Sequence, residues 1–335
     1  MEPLRFGLVF DLLGTLPAHA GGPPDADVEY EPEETVALLE EAITRLGHQP
    51  VRLGNPHALL GALGKGEAPP VDVALSIAEG YGSRNREAWA PTLLEMAGIP
   101  FLGSDGLTLS TSLDKAWTHA RVAAAGVPVP DPRVVSEADV EVVSNSAVYP
   151  LFVKPRWEGT AKGIGPASRV EDAAALRDQV TRIARDYAQP ALVEGFVSGP
   201  EYTVTVVGHR PARALPVLQR ALEDATRIGL HAVERHPAPG SGWQGVTPGS
   251  LDADLEALLA RLAVQAFDAL ECLDFARADF RLDAQGDPVF LEINPLPTFA
   301  PDGSFGILAE LEGRPAADLL ADVFGEALVR LRLGS

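Results

Sequence analysis

Residues Ala276–Pro297 read ARADFRLDAQGDPVFLEINPLP, two strand-like runs joined by a polar turn. A turn at Gln285–Gly286 sets Leu282 opposite Val289, Phe280 opposite Leu291 and Ala278 opposite Ile293. That is one continuous apolar face, as a buried sheet requires. The same register places Arg277, Asp279 and Arg281 on the other face, against Asn294, Glu292 and Phe290. Asp279 then stands directly across from Glu292, at the ~5 Å Cβ spacing of a cross-strand pair. Two carboxylates that close repel unless a cation lies between them or one is protonated. Asn294 adds a neutral oxygen on the same side, and such a set of hard oxygens is what Mg²⁺ favours. The alternative is a solvated polar face neutralised by Arg277 and Arg281.

The rest of the chain has to support such a site. Its 335 residues are enough for two or three subdomains, and 46% hydrophobic content excludes disorder. A net charge of −20 argues against nucleic acid and anionic lipid as partners, so a phosphate-bearing ligand needs local cations or a metal. The single cysteine, Cys272, reads as a small core residue in a reducing compartment. No leader peptide and no apolar run of membrane-spanning length is visible, so the expected location is cytoplasmic.

Outward from the hairpin, the first third alternates strand and helix: Leu4–Phe10, a helix at Glu33–Leu46, Val51–Leu53, Val71–Ile77, a helix at Arg86–Ala97, then Ile99–Leu102. This predicts an α/β, doubly wound parallel sheet whose loop Glu79–Glu87 lies at the ligand end. A helix at Leu113–Ala125, the link Gly126–Pro132 and a strand at Tyr149–Lys154 follow. Next come a helix opened by a Ser168–Glu171 capping box, strands Ala191–Glu194 and Glu201–Val207, and a polar loop Leu222–Gly249. Helices at Asp252–Leu270 and Pro315–Leu331 flank the hairpin. The expected division is 1–106, 107–197 and 198–335. Two phosphate-loop look-alikes, Gly61–Glu67 and Gly240–Gly245, lack the required residues or flanking elements.

Only four of the 27 basic residues are lysine: Lys65, Lys115, Lys154 and Lys162. Lys115 opens a helix, where backbone N–H groups already favour anions. Lys154 ends a strand and leads into KPRWEGTAKGIG, a glycine-punctuated loop able to approach phosphates closely.

The order of these pieces resembles the ATP-grasp superfamily, and within it the D-alanine–D-alanine ligase family. The likeness runs from GIPFLGSDGLTLSTSLDK through AAGVPVP, PLFVKPRWEGTAKGI, LVEGFVSGPEYTVTVVG and FARADFRLD to VFLEINPLPTF. It implies an ATP-grasp fold behind an N-terminal Rossmann-like domain. It also implies an ADP-forming carboxylate–amine ligase working through an acyl phosphate, with peptidoglycan biosynthesis as one setting. By position, Lys115 and Lys154 would contact ATP phosphates under a lid containing Glu158, Gly159, Thr160 and Gly163. The backbone of Glu194, Gly195, Phe196 and Val197 would read adenine, and Glu201 would accept from ribose. Asp279, Glu292 and Asn294 would hold two Mg²⁺, Mn²⁺ being the other candidate ion, and Arg277 would stabilise the reacting centre.

The substrate side departs from the family pattern. Glu79 stands where the family's N-terminal signature has histidine, and Glu29, Glu31 or Glu33 is the candidate to receive a substrate ammonium. The acidic run Glu29–Glu34 otherwise reads as a solvated helix start. Arg84 and Arg86 are candidates for a substrate carboxylate. Arg227 or Arg235 would replace an absent loop lysine, and Thr298 and Ser304 are candidate acceptor contacts. The expected partners are small amino-acid-like molecules, with a homodimer as the assembly to test. The alternatives are a nucleotide binder that has lost ligation, or a ligase for other amino-acid, peptide or amine partners.

Overall fold

Three separate sheets organise the chain. The computed structural model describes residues 2–16, 23, 25–67, 69–223, 226–229, 246–248 and 251–334. The first sheet comprises β1 (Arg5–Val9), β2 (Gln49–Gly54), β3 (Val73–Ser76) and β4 (Phe101–Leu102), all parallel in the order β2–β1–β3–β4. Helices α1 (Glu33–Arg45), α2 (Pro56–Gly64) and α3 (Trp89–Met96) connect these strands. In α1 the apolar residues Val36, Leu39 and Ile43 are buried, with Glu33 and Glu34 in the first turn and Arg45 in the last, matching the helix dipole. Gly47 follows at φ +81°, a left-handed position that suits glycine. The helix expected from Arg86 begins instead as a 3-10 turn, Arg86–Ala88, before α3.

Where one helix was expected from Leu113, there are two, α4 (Gly106–Leu113) and α5 (Lys115–Ala124). Asp114 separates them: it is extended, and its side chain caps α5 by accepting from the Trp117 N–H.

The second sheet contains β5 (Arg133–Val135), β6 (Leu151–Pro155), β7 (Arg169–Val170) and β8 (Ala191–Gly195), antiparallel in the order β5–β8–β6–β7. Helix α6 (Val140–Ser146) and helix α7 (Ala173–Tyr187) accompany it, and Leu176, Val180 and Ile183 of α7 pack with Val153 and Val193. The expected capping box is not the start of α7. Ser168 lies in a 3-10 turn and Asp172 caps the helix, accepting from Ala175 N–H at 2.9 Å.

The third sheet comprises β9 (Glu201–Gly208), β10 (Ala212–Ala214), β11 (Leu218–Arg220), β12 (Val246–Pro248), β13 (Asp274–Leu282) and β14 (Pro288–Asn294). Helix α8 (Ala253–Ala269) covers one face, where Leu259, Ala266 and Phe267 meet Val204, Ala278 and Phe280. Helices α9 (Ser304–Leu311), which the sequence reading missed, and α10 (Ala316–Arg330) return to the first sheet. Phe324 and Leu328 join Phe6 and Leu39 in one core. Cys272 is buried as expected. Of the long loop, Gly240–Gly245 and Arg235 lie outside the described residues. Among the described residues, no helix is long and apolar enough to cross a membrane.

The hairpin register holds where it matters chemically and slips elsewhere. Arg277 pairs with Asn294, Ala278 with Ile293 and Asp279 with Glu292, as expected. A bulge between Asp279 and Phe280 then pairs Phe280 with Phe290 and Leu282 with Pro288. The expected pairs Phe280–Leu291 and Leu282–Val289 are therefore incorrect. The extra residue is absorbed at Leu291, so Phe290 turns into the core and Leu291 lines the cleft beside Glu292.

Candidate active site

The second and third sheets face each other across a cleft. Its apolar lining includes Phe152, Ile164, Phe196, Val197, Ile228 and Leu291, and its polar lining Lys154, Glu194, Glu201, Asp279, Arg281 and Glu292. Strand pairing β6–β8 brings Lys154 beside Glu194: their charged atoms lie 2.8 Å apart and both side chains are buried. Behind Glu194 stands His119, fully buried, with Nε2 2.8 Å from the Leu291 carbonyl and Nδ1 4.0 Å from Glu194. Burial pushes the His119 pKa down, favouring a neutral ring that donates from Nε2 to the carbonyl.

Part of the expected adenine-reading backbone is already used. Phe196 N–H donates to the Pro150 carbonyl, and the Val197 carbonyl accepts from Arg281 at 2.8 Å. The Phe196 ring lies between the guanidinium groups of Arg169 and Arg281, at 4.8 and 5.6 Å. Glu201 does not face open solvent; Arg281 approaches it at 3.2 Å and Arg220 at 3.8 Å. Burial still raises its carboxyl above the ordinary value.

On the hairpin, Asp279 is buried and receives Arg277 through Nε at 3.2 Å and a terminal nitrogen at 3.1 Å. Arg220 stands at 3.9 Å. Burial alone would raise Asp279; Arg277 and Arg220 overcome it and hold the carboxyl below its usual range. Glu292 meets Lys115 at 3.3 Å, and Asn294 Oδ1 accepts from the Leu296 N–H at 2.8 Å. Among the described residues no three His, Cys, Asp or Glu converge on one point. The oxygen set for a divalent ion is thus two carboxylates and one amide. It fits in kind, because all are hard donors and the Asn294 oxygen keeps a second lone pair.

The glycine loop expected as a lid is fastened to the N-terminal segment. Glu29 Oε1 accepts from Gly159 N–H at 2.8 Å and from Arg86 at 2.7 Å, while Oε2 meets Lys162 Nζ at 2.6 Å. Lys162 also reaches Glu158 at 2.7 Å, and Arg86 donates to the Trp157 carbonyl at 2.8 Å. Gly163 N–H donates to Asp25 at 2.8 Å. The Lys115 ammonium donates to the Glu158 carbonyl. Burial would raise Glu29, but Arg86 and Lys162 bring it down to about 2.

These contacts revise the substrate-side expectations. The acidic run divides: Glu33 and Glu34 form the exposed helix start, Glu33 pairing with Arg52, whereas Glu29 and Glu31 are buried. Arg86 is buried among protein carboxylates and is not presented to a substrate carboxylate. Arg84 is half-exposed, over the Trp157 ring at 5.5 Å. Glu79 is half-buried, and burial together with Glu87, Glu29 and Glu31 pushes its carboxyl well up. Thr298 Oγ1 accepts from Ala300 N–H at 3.1 Å, and Ser304 is buried at the start of α9. Arg227 presents its carbonyl to Arg281. His119, Arg220 and the Glu29–Arg86 pair escaped the sequence reading. Lys162 alone carried a signal, as one of four lysines with an acid four residues before it.

Residues 122–324, more than half of the chain, match the family model described as D-ala D-ala ligase C-terminus. The chain belongs to the D-alanine–D-alanine ligase family. It is 32% identical over 254 residues to the D-alanine–D-alanine ligase of Bordetella pertussis, covering 75% of this chain and 78% of that one. It is also 28% identical over 311 residues to the uncharacterized protein y4sG of Sinorhizobium fredii, covering 88% and 86%. In fold, it is similar to the VanG D-Ala:D-Ser ligase from Enterococcus faecalis, with a TM-score of 0.71, 19% identity and coverage of 97% and 99%. The D-alanine–D-alanine ligase from Bacillus anthracis in complex with ATP gives a TM-score of 0.69 at 19% identity, covering 99% and 100%. The architecture is the expected α/β ATP-grasp fold with an N-terminal Rossmann-like domain. The chain is an ATP-dependent ligase of this family, whose chemistry forms C–N bonds through an acyl phosphate.

Proposed function

We propose that this ligase joins an amino-acid-type carboxylate to an amine, with ATP in the cleft between the second and third sheets. The observation that carries the reading is the one cleft lined by Lys154, Glu194 and Phe196 on the side of the second sheet and by Glu201, Asp279 and Glu292 on the side of the third. Apolar walls suit a purine, and buried cations beside acidic oxygens suit a metal-bound triphosphate.

In this reading the substrate carboxylate oxygen attacks the γ-phosphorus. A new O–P bond forms as the bond to the bridging oxygen breaks, giving an acyl phosphate and ADP. Lys154 and Lys115 hold phosphate oxygens and keep the triphosphate aligned. Asp279, Glu292 and Asn294 would hold Mg²⁺, which supplies charge neutralisation on the phosphates. The amine nitrogen then attacks the acyl carbon, and phosphate leaves with the C–O electron pair once the amine has lost a proton. Arg277, beside Asp279, is the cation positioned to stabilise the oxyanion.

D-alanine is the first substrate to test, but Glu29 is already neutralised by Lys162 and Arg86. A substrate ammonium would therefore need another acceptor, and Glu79 is the candidate, its raised carboxyl ionising only as the cation arrives. The deciding experiment follows ADP and amide product in mixtures of D- and L-amino acids with ATP and Mg²⁺. Acid- and amine-dependent ADP release supports the reading; no ADP release with any pair opposes it.

A further inference from the structure

Two of the four lysines sit by the cleft carboxylates; Lys162 does not, and it is nonetheless buried. Its ammonium lies between Glu29 and Glu158, and Arg86 lies between the same two carboxylates at 2.7 and 3.4 Å. Two cations and two anions form a neutral square, a condition under which burying four charges is tolerable. The square spans two parts of the chain. Glu29 and Arg86 come from the N-terminal unit, Glu158 and Lys162 from the glycine loop.

Pulling the loop away would split the square into Arg86–Glu29 and Lys162–Glu158. Each half is neutral and able to hydrate, so the contact can open without stranding a charge. We propose that Lys162 and Arg86, gripping Glu29, form a latch that holds the glycine loop closed over the reacting groups. These are positioning residues, and their role in turnover rests on the ligase reading above.

The loop backbone agrees with an externally imposed shape. Thr160 and Ala161 both have left-handed φ, +45° and +52°, which side chains with a Cβ adopt only when their surroundings enforce it. Gly159 lets the loop approach closely: an added Cβ would lie 2.9 Å from Glu29 Oε1 and displace that carboxylate from the contact. The latch also reaches the cleft. Glu158, fixed by Lys162 and Gln189, offers its carbonyl to Lys115, which pairs with Glu292.

The test is amide hydrogen exchange on the full chain without nucleotide or substrate, comparing wild type, Lys162→Met, Glu29→Gln and the double variant. In Lys162→Met the Gly159 and Gly163 amides should exchange about tenfold faster or more, with β1 and β13 unchanged. The double variant should open the loop no further than the faster single variant, because both act on one contact. Should Lys162→Met fail to fold, Gly159→Ala disturbs the same contact without removing a charge. Wild-type exchange of these amides in every folded variant overturns the latch. Where ligation is measurable, phosphate released per amide bond should rise severalfold in the latch variants, as water reaches the intermediate. Faster exchange with an unchanged ratio overturns the positioning role. Because exchange is read without turnover, absence of ligation in wild type bears on the functional reading and leaves the exchange result standing.

Discussion

Lys115 Nζ lies 3.3 Å from Glu292 Oε2, joining the first turn of α5 to the acidic hairpin. The same ammonium donates to the Glu158 carbonyl, so one cation touches both the hairpin and the loop. Lys115→Met removes that link while keeping the apolar stem. The expected outcome is a fall in kcat of about 10²-fold, a typical effect of losing one electrostatic stabiliser, read by ADP release. An unchanged kcat would remove Lys115 from the reacting centre.

Asp279 carries the acidic side of the site. Asp279→Asn preserves shape but removes the charge that Arg277 and Arg220 surround. Turnover at fixed Mg²⁺ should fall about 10–100-fold or more, with part of the loss recovered as Mg²⁺ is raised. A Mg²⁺ titration checks this against a thermal melt of the same variant.

The buried Lys154–Glu194 pair gives a different signature. Lys154→Ala should raise the KM for ATP about tenfold or more, while leaving Glu194 buried without its cation. The unpaired carboxylate should cost on the order of 3–5 kcal/mol of stability. Steady-state kinetics and denaturant titration separate the two effects.

The latch has a pH dependence of definite sign. Glu29 falls from its ordinary 4.5 to about 2, so its contribution is complete above pH 4.5 and is lost as pH drops toward 2. The stability deficit of Glu29→Gln should therefore be largest at neutral pH and shrink in acid. Glu87 behaves oppositely. Burial, opposed by Arg86 and reinforced by Glu29, raises it to about 7. Its charge then opposes folding progressively from about pH 4.5 to 7 and by a constant amount above. Glu87→Gln should stabilise the protein at pH 8 by on the order of 1–3 kcal/mol and have no effect near pH 4.5. Melts at pH 8 and 4.5 test the Glu87 sign, and denaturant titrations at pH 7 and near pH 2.5 test that of Glu29.

The hairpin was legible because one face of β13 is apolar and the other charged, which leaves a single register for Asp279 and Glu292. Its bulge was not, since Phe290 and Leu291 are both apolar and either satisfies the pattern. The lysines Lys115 and Lys154 announced themselves by rarity and by their places at a helix start and a strand end. Glu29 and Lys162 are 133 residues apart, and Glu29 and Arg86 57 apart. No local periodicity encodes such contacts, and only packing of the N-terminal unit against the glycine loop creates them. The same packing turned Arg86 from a candidate substrate contact into a buried partner of Glu29.

The most direct test of the account measures ADP, phosphate and amide product together, with ATP, Mg²⁺ and pooled D- and L-amino acids. The account predicts ADP and phosphate release that requires both a carboxylate and an amine substrate, with a new amide detected by mass spectrometry. ATP bound with ordinary affinity, yet no amide and no substrate-dependent ADP from any pool, would contradict it.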